Sequence, residues 1–179
     1  EAMGVVEIRH GSGVYVTRSE EFLLLASPDY GGTVTKKLLL DLIGARIPIE
    51  VQSVADAVRN ATPARLLEMQ RLLSTVERSL DDAETMNAVN TAFHQQIALA
   101  SGNTVTAQML TVLHELFAKE QRLIVDRVCS HEKAHREHLA ILEAIALRDE
   151  TLAVGQMRTH LEGIQSAILR WNPEDHPVK

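Results

Sequence analysis

The spacing of hydrophobic and polar positions changes along this chain of 179 residues. Near its start, two runs rich in β-branched residues, 5–8 and 14–16, flank a glycine-rich turn. This pattern predicts a β-hairpin, which is only marginally stable in water without further strands. A dense cluster of turn-forming residues follows, so residues 17–33 are predicted to be a linker.

From residue 34 onwards, apolar residues recur at the spacing of an α-helix. Six helices are predicted, ending near residues 60, 80, 101, 128, 148 and 172. Their boundaries are indicated by five N-cap residues and one C-terminal glycine, Thr62, Asp81, Asn103, Ser130, Asp149 and Gly102. Pro48 predicts a kink or break in the first helix. The fold class is therefore all-α, an antiparallel bundle of about six to seven helices over residues 34–171.

The amino-acid composition limits the classes of protein to which this chain can belong. Hydrophobic residues make up 45% and charged residues 23%, which favours a folded core over disorder. The net charge of −6 argues against broad attraction to nucleic acid by this chain alone. The single cysteine, Cys129, excludes an internal disulfide, as suits a reducing cytoplasm, and is expected to be an apolar filler. No secretory signal and no membrane-spanning apolar run is present in the sequence.

Three of the eight histidines lie on the apolar faces of predicted helices. His94 lies one turn after Asn90 in the third helix, His138 lies in the fifth and His160 in the sixth. Helical periodicity directs all four side chains toward the bundle interior. Neutral imidazoles together with an amide oxygen are ligands for a zinc-like ion.

Helical periodicity alone does not show that the three histidines lie at the same level along the bundle. The alternative to a metal site is therefore that each histidine is simply packed in the core. His131 and His135 share a face with His138 near the predicted start of its helix, where solvent is expected. These three histidines could also bind metal adventitiously. His114 is interpreted as a packed or partly exposed side chain.

Several stretches resemble the FCD ligand-binding domains of GntR-family transcription regulators, in the FadR-like branch. They are NTAFH at 90–94 with ASGN at 100–103, the segment 138–161, and Arg46-xxx-Glu50 in the first helix. The opening GVVEIRHGSGVYV at 4–16 resembles the end of a GntR winged helix with its wing hairpin. The resemblance covers essentially the whole chain.

The resemblance implies a cytoplasmic regulator rather than an enzyme. In that family the helical domain binds a small organic acid, often through a divalent metal, here expected to be zinc with nickel or manganese as alternatives. His94, His138 and His160 match the three histidine ligands, and Asn90 matches a position that is usually Asp. The neutral amide weakens metal binding but leaves the site more positive toward an anion. Arg46 is implied to face the effector carboxylate, with an ion pair at the surface or between helices as the alternative.

The resemblance also implies a homodimer that grips operator DNA. The wing would contribute Arg9, His10, Gly11, Ser12 and Gly13. The helix-turn-helix of the family would precede Glu1, so we expect a truncated or proteolysed product: wing remnant 1–16, linker 17–33, effector-binding domain 34–171 and tail 172–179. Two other functions stay open, a structural oligomerisation bundle without metal and a three-histidine metalloenzyme.

Overall fold

The computed structural model describes residues 6–9, 13–16, 35–76, 82–116 and 130–171. Two strands, β1 (Val6–Arg9) and β2 (Gly13–Val16), pair antiparallel with Arg9 opposite Gly13. Six helices are present in these ranges: α1 (Lys36–Asn60), α2 (Pro63–Val76), α3 (Ala83–Ala100), α4 (Thr104–Leu116), α5 (His131–Ala146) and α6 (Glu150–Arg170). The predicted linker, tail, wing tip at 10–12 and Cys129 lie outside the described residues.

Most of the predicted helix boundaries are confirmed by side-chain caps. Thr62, Asn103 and Asp149 each accept a hydrogen bond from a backbone N–H in the first turn that follows, at 3.3, 3.1 and 2.9 Å. Ser130 does the same at 3.4 Å. The prediction of Asp81 as the cap of α3 is wrong, because Asp82 accepts from the first-turn N–H groups instead. Two adjacent aspartates carry the same capping chemistry, so the sequence did not distinguish them.

Of the kink or break predicted at Pro48, the break is wrong, since α1 runs continuously from Lys36 to Asn60. The kink stays a prediction. A proline inside a helix lacks the N–H and crowds the carbonyl four residues earlier, which here belongs to Gly44. The space beside Gly44 is open, so its backbone has room to adjust. Ile43 and Val54, on either side, are fully buried, and their packing stabilises the helix on both sides of the proline.

The core forms where the apolar faces of the helices meet, which confirms the predicted all-α bundle. Helix α1 packs against α3, α4, α5 and α6, while α2 packs against α3 and α5. The fully buried side chains include Leu39, Ile43, Phe93, Ile97, Ile141, Ile145, Met157 and Leu161. Within the described ranges, no helix has the length and apolar character needed to cross a membrane. The middle of α1 thus lies beside most of the other helices.

The end of α1 is fixed by an arginine from the turn between α5 and α6. Arg148 has a φ of 60°, in the left-handed region. Its guanidinium donates to the carbonyl oxygens of Val58 at 2.5 Å and Ala61 at 2.6 Å. The last carbonyls of a helix have no partner inside it, so this arginine stabilises the C-terminus of α1 and complements its dipole.

We predict that Arg148→Ala lowers the free energy of unfolding by about 1–2 kcal/mol, because two charge-assisted hydrogen bonds are lost. Arg148→Gly loses the same bonds but relieves the left-handed backbone, and should be about 1 kcal/mol more stable than the alanine variant. Urea unfolding of the three proteins measures both differences. Variants that unfold together with the parent chain would show that the guanidinium contributes nothing to α1.

Candidate metal centre

Three histidines from three helices meet inside the bundle. His94 on α3, His138 on α5 and His160 on α6 are each at most 3% exposed. One ring nitrogen from each lies within 4.8 Å of those of the other two. Their ring centroids are separated by 4.8, 5.1 and 5.4 Å. The structure therefore brings together the three histidines that helical periodicity had directed inward.

The Nε2 atoms of these histidines are the unusual feature of the group. All three are buried, and none has a hydrogen-bond partner among the described residues. A buried polar atom without a partner costs free energy, so native interiors rarely contain three close together. Three unpartnered imidazole nitrogens directed at a shared region have the donor chemistry of a divalent metal site.

A buried carboxylate fixes the orientation of His94. Glu50, on α1 and 1% exposed, accepts a hydrogen bond from the Arg46 Nε at 2.7 Å through one oxygen. Its other oxygen pairs with the Nδ1 of His94. Burial alone would raise the pKa of Glu50, but the Arg46 charge and the contact with His94 hold it far below its ordinary value. Glu50 is therefore ionised inside the bundle.

The ionised Glu50 determines the tautomer of His94. A carboxylate can only accept, so the proton of a neutral His94 ring lies on Nδ1. Burial lowers the pKa of His94, and this outweighs the opposing charge of Glu50. The neutral ring thus keeps a lone pair on Nε2, the form in which imidazole binds a metal.

His160 is held by a second carboxylate in the same way. Its Nδ1 lies 2.7 Å from a carboxylate oxygen of Glu137, one helix away on α5. Burial opposes ionisation of Glu137, yet its hydrogen bond and electrostatic interaction with His160, together with the charge of Lys133, lower its pKa. The Nζ of Lys133 lies 3.6 Å from the other oxygen. Two of the three histidines therefore have the carboxylate–imidazole arrangement that orients metal ligands in proteins.

His138 is placed by packing. Its ring centroid lies 4.8 Å from that of Phe93. Burial, together with His160 and His94 nearby, lowers its pKa well below the usual value. The ring of His138 is therefore neutral at physiological pH.

Asn90 is half-buried and lines a small cavity with His135 and His138, next to apolar side chains of α2 and α3. This places the amide beside one of the three histidines, and its role as a ligand stays a prediction. The expectation that His135 faces solvent is wrong. Its side chain is half-buried, and its ring nitrogens have no partner among the described residues, because α2 and α3 cover the start of α5.

Arg46, the predicted effector contact, is 3% exposed and forms its ion pair with Glu50. The alternative of a surface or interhelical ion pair is wrong as stated, because this pair lies within α1 and is buried. Four residues separate the two side chains, the spacing at which residues of a helix are neighbours. In the wing, Arg9 and Gly13 lie in the paired strands, while residues 10–12 fall outside the described ranges.

Sequence reasoning missed two polar residues of this interior, and it did not predict the surroundings of a third, which it interpreted as packed or partly exposed. Glu50 was noted only as part of a family pattern, although its spacing from Arg46 was a usable signal. Glu137 lies next to His138 in sequence and off the apolar stripe, so it was indistinguishable from a solvated surface residue. His114 on α4 is 4% exposed, with its ring centroid 6.5 Å from that of His94. Burial, reinforced by the Arg46 charge, lowers the pKa of His114 to about 3.

Comparison with known proteins identifies the family of this helical domain. Residues 41–163 match the FCD domain family. The chain is 24% identical over 174 residues to the HTH-type transcriptional regulator LutR of Bacillus subtilis, covering 94% of this chain and 79% of LutR.

Two solved structures have a similar fold. The GntR protein of Streptococcus agalactiae has a TM-score of 0.72 and 22% identity, covering 91% of this chain and 75% of that one. The metal-free FCD domain of TM0439 has a TM-score of 0.64 and 22% identity, covering 78% of this chain and 96% of that one. At this level of identity the two likenesses concern the fold alone.

We predict that the metal-free chain loses stability as the pH falls from 7.0 to 5.5. The lowered pKa values keep His138 and His114 neutral when folded, whereas the unfolded chain protonates both below about 6.5. The unfolded state then binds more protons, so the free energy of unfolding falls by about 1 kcal/mol for each histidine. Protonation of Glu50 lowers the free energy of unfolding further, but only at more acidic pH, below about 4.5.

Urea unfolding in the presence of chelator at the two pH values measures this change. A His138→Leu variant has one buried imidazole fewer, so its stability should depend less on pH than that of the parent chain. Equal pH dependence in the two proteins would contradict the assignment of His138 as a neutral buried ring.

Proposed function

This chain belongs to the FCD-domain family of GntR regulators, and we propose that it is the effector-sensing part of a ligand-responsive bacterial transcription regulator. The family match spans residues 41–163, well over half of the chain. The relative LutR is named as a transcription regulator, and the family assignment excludes the metalloenzyme alternative. The sensing function rests on one observation: His94, His138 and His160 each offer a ring nitrogen within 4.8 Å of the others, and their buried Nε2 atoms have no partner among the described residues.

The unpartnered nitrogens favour a metal site over a purely structural bundle. A histidine retained for packing would be expected to use its ring nitrogens in hydrogen bonds within the core. Here Glu50 and Glu137 hold the Nδ1 atoms of His94 and His160, and the Nε2 atoms are left for a ligand. The donor set therefore fits a divalent metal ion.

Imidazole ligands suit zinc best, with nickel and manganese as alternatives. His94, His138 and His160 would hold the ion, and the Asn90 side-chain oxygen would be a further ligand from α3. Such an ion supplies a fixed positive charge in the interior, to which a carboxylate oxygen can bind. The charge, rather than catalysis, is what this function requires.

The surrounding charges support an anionic effector. The Arg46 cation offsets the Glu50 carboxylate, and Lys133 lies beside Glu137. With Asn90 neutral, the charge of a bound metal would stay uncompensated by the protein. A small carboxylate would supply the missing negative charge, and Arg46 is our candidate for a second contact to it.

The remaining parts of the proposal concern the whole regulator. Residues 34–171 would form the effector domain, and β1 with β2 would belong to a wing that approaches operator DNA. In that wing Arg9, His10, Gly11, Ser12 and Gly13 would face the DNA, where small residues permit close approach of the backbone. Two copies would pair through their helical domains, since a twofold operator requires two wings.

We predict one divalent ion per chain in the parent protein after dialysis, and loss of that ion in His138→Ala and His160→Ala. Each substitution removes one of three ligand nitrogens, so the stabilisation by added zinc should also disappear. Elemental analysis and thermal melting with and without zinc measure the two effects. His135→Ala is the matched control, because it removes a histidine one turn from His138 that is outside the group.

Two results would contradict the metal proposal. Unchanged metal content in both ligand variants would show that the three histidines are only packed. Loss of metal in His135→Ala with retention in His160→Ala would instead show adventitious binding along α5.

We also predict that small hydroxy or keto acids raise the melting temperature of the metal-loaded chain by about 5–10 °C at a hundredfold excess over Kd. The matched amides lack the negative charge and should have little effect. Thermal melting of the loaded and chelator-treated chain with each acid and its amide tests this. Equal stabilisation by acid and amide, or stabilisation that survives chelation, would contradict a metal-bound carboxylate.

A further inference from the structure

A small cavity lies at the start of α5, just outside the three-histidine group. It has a volume of about 20 Å³ and is lined by Asn90, His135 and His138, together with apolar side chains of α2, α3 and α5. This volume is enough for one water molecule or one metal ion. Both ring nitrogens of His135 are buried, and neither has a hydrogen-bond partner in the described part of the chain. His135 therefore adds an unpartnered imidazole to the wall of a cavity that it shares with His138.

His135 lies at the boundary between the surface and the interior of the bundle. It precedes His138 by three residues, the spacing of neighbours on one face of a helix. His138 is 3% exposed, whereas His135 is half-buried and Glu132, one turn earlier, is exposed. The cavity itself is only partly enclosed. Burial thus increases along α5 toward His138, with His135 one step outside the three-histidine group.

The three-histidine group is closed to a hydrated ion. His94, His138 and His160 are each at most 3% exposed. A divalent ion that lost its water before it met a protein ligand would cross a high free-energy barrier, because the interior solvates charge poorly. A path on which protein ligands replace water one at a time has a lower barrier. A ligand placed just outside the group would therefore speed the entry and the exit of an ion.

Building on the proposed function, we propose that His135 and Asn90 form an outer metal position in this cavity, through which a divalent ion passes to and from the three histidines. One ring nitrogen of His135 and the side-chain oxygen of Asn90 would bind the ion, which would keep water as its other ligands. Two protein ligands are fewer than the four of a structural zinc site, so the ion would stay there only briefly.

Helical spacing suits the transfer of the ion from the outer position to the inner one. Asn90 lies one turn before His94 on α3, and His138 lies one turn after His135 on α5. An ion in the cavity can therefore gain an inner histidine on either helix before it leaves its outer ligand. Because Asn90 would belong to both positions, the ion would keep one protein ligand throughout.

A position that the ion occupies only in passage changes the rate of metal exchange and not the amount of metal bound. Removal of the His135 ligand raises the same barrier for entry and for exit. Both rate constants then fall by the same factor, and Kd does not change. The metal content of a His135 variant at equilibrium should accordingly equal that of the parent chain.

The test is stopped-flow measurement of zinc loading, and of zinc release to excess chelator, in the parent chain and in three variants at position 135. His135→Leu fills the space and His135→Ala opens it, yet both remove the ligand, so both rates should fall about tenfold in each while Kd stays within about twofold. His135→Cys keeps a zinc ligand, measured under reducing conditions, and should restore much of the parent rates.

The contrary results are distinguishable. A parent chain that holds no zinc at the three histidines would overturn the proposed metal site and the outer position together. Normal zinc content with parent exchange rates in both the alanine and the leucine variant would overturn the outer position alone. The outer position would also be overturned by faster exchange in the alanine variant, which indicates a steric gate. Equal slowing in all three variants would indicate a packing role, and a weakened Kd in the leucine variant would indicate a permanent ligand; either would overturn it as well.

Discussion

The buried carboxylate of Glu50 is the constraint on which the interior of this bundle depends. Removing an ionised carboxylate from water costs several kcal/mol unless its oxygens are paired. Arg46 and His94 provide those pairs, one from the same helix and one from α3. The pairing makes burial tolerable and at the same time fixes the His94 proton on Nδ1. The same side chain thus links the packing of α1 against α3 to the orientation of His94.

The same principle extends through the other helices. Glu137 on α5 orients His160 on α6, as Glu50 on α1 orients His94 on α3. Packing against Phe93 places the third ring, His138. Because each contact joins two helices, the ligand group forms only when α1, α3, α5 and α6 are correctly docked. A metal bound there would consequently stabilise the assembled bundle and not its separate helices.

The sequence predicted much of the fold because caps and helical faces are local properties. Thr62, Asn103, Ser130 and Asp149 cap their helices as expected, and the stripes carrying His94, His138 and His160 are buried. Helical periodicity does not predict how far one helix is shifted along its axis relative to another. It therefore could not predict contacts between helices, such as the pairing of Glu137 with His160.

The wrong prediction at Pro48 and the incomplete interpretation of His114 have a related physical origin. Pro48 follows a rule of local backbone energetics, and burial of the neighbouring turns of α1 overrides it. The interpretation of His114 as a packed side chain is confirmed by its burial, but periodicity could not predict that its nitrogens lack partners, because this depends on side chains from other helices. A local pattern predicts which face a residue occupies, but the satisfaction of its hydrogen bonds is a property of the assembled interior.

An interior with several unpartnered imidazole nitrogens is less stable than an apolar core of the same volume. If a metal and an anion bind there as proposed, they would satisfy those atoms and stabilise the bundle, so binding and bundle stability would be linked. A ligand shifts a conformational equilibrium only by its difference in affinity for the two states. In the proposed function, the unpartnered nitrogens of His94, His114, His138 and His160 would provide that difference. They would give a bound effector free energy with which to change the arrangement of the helices.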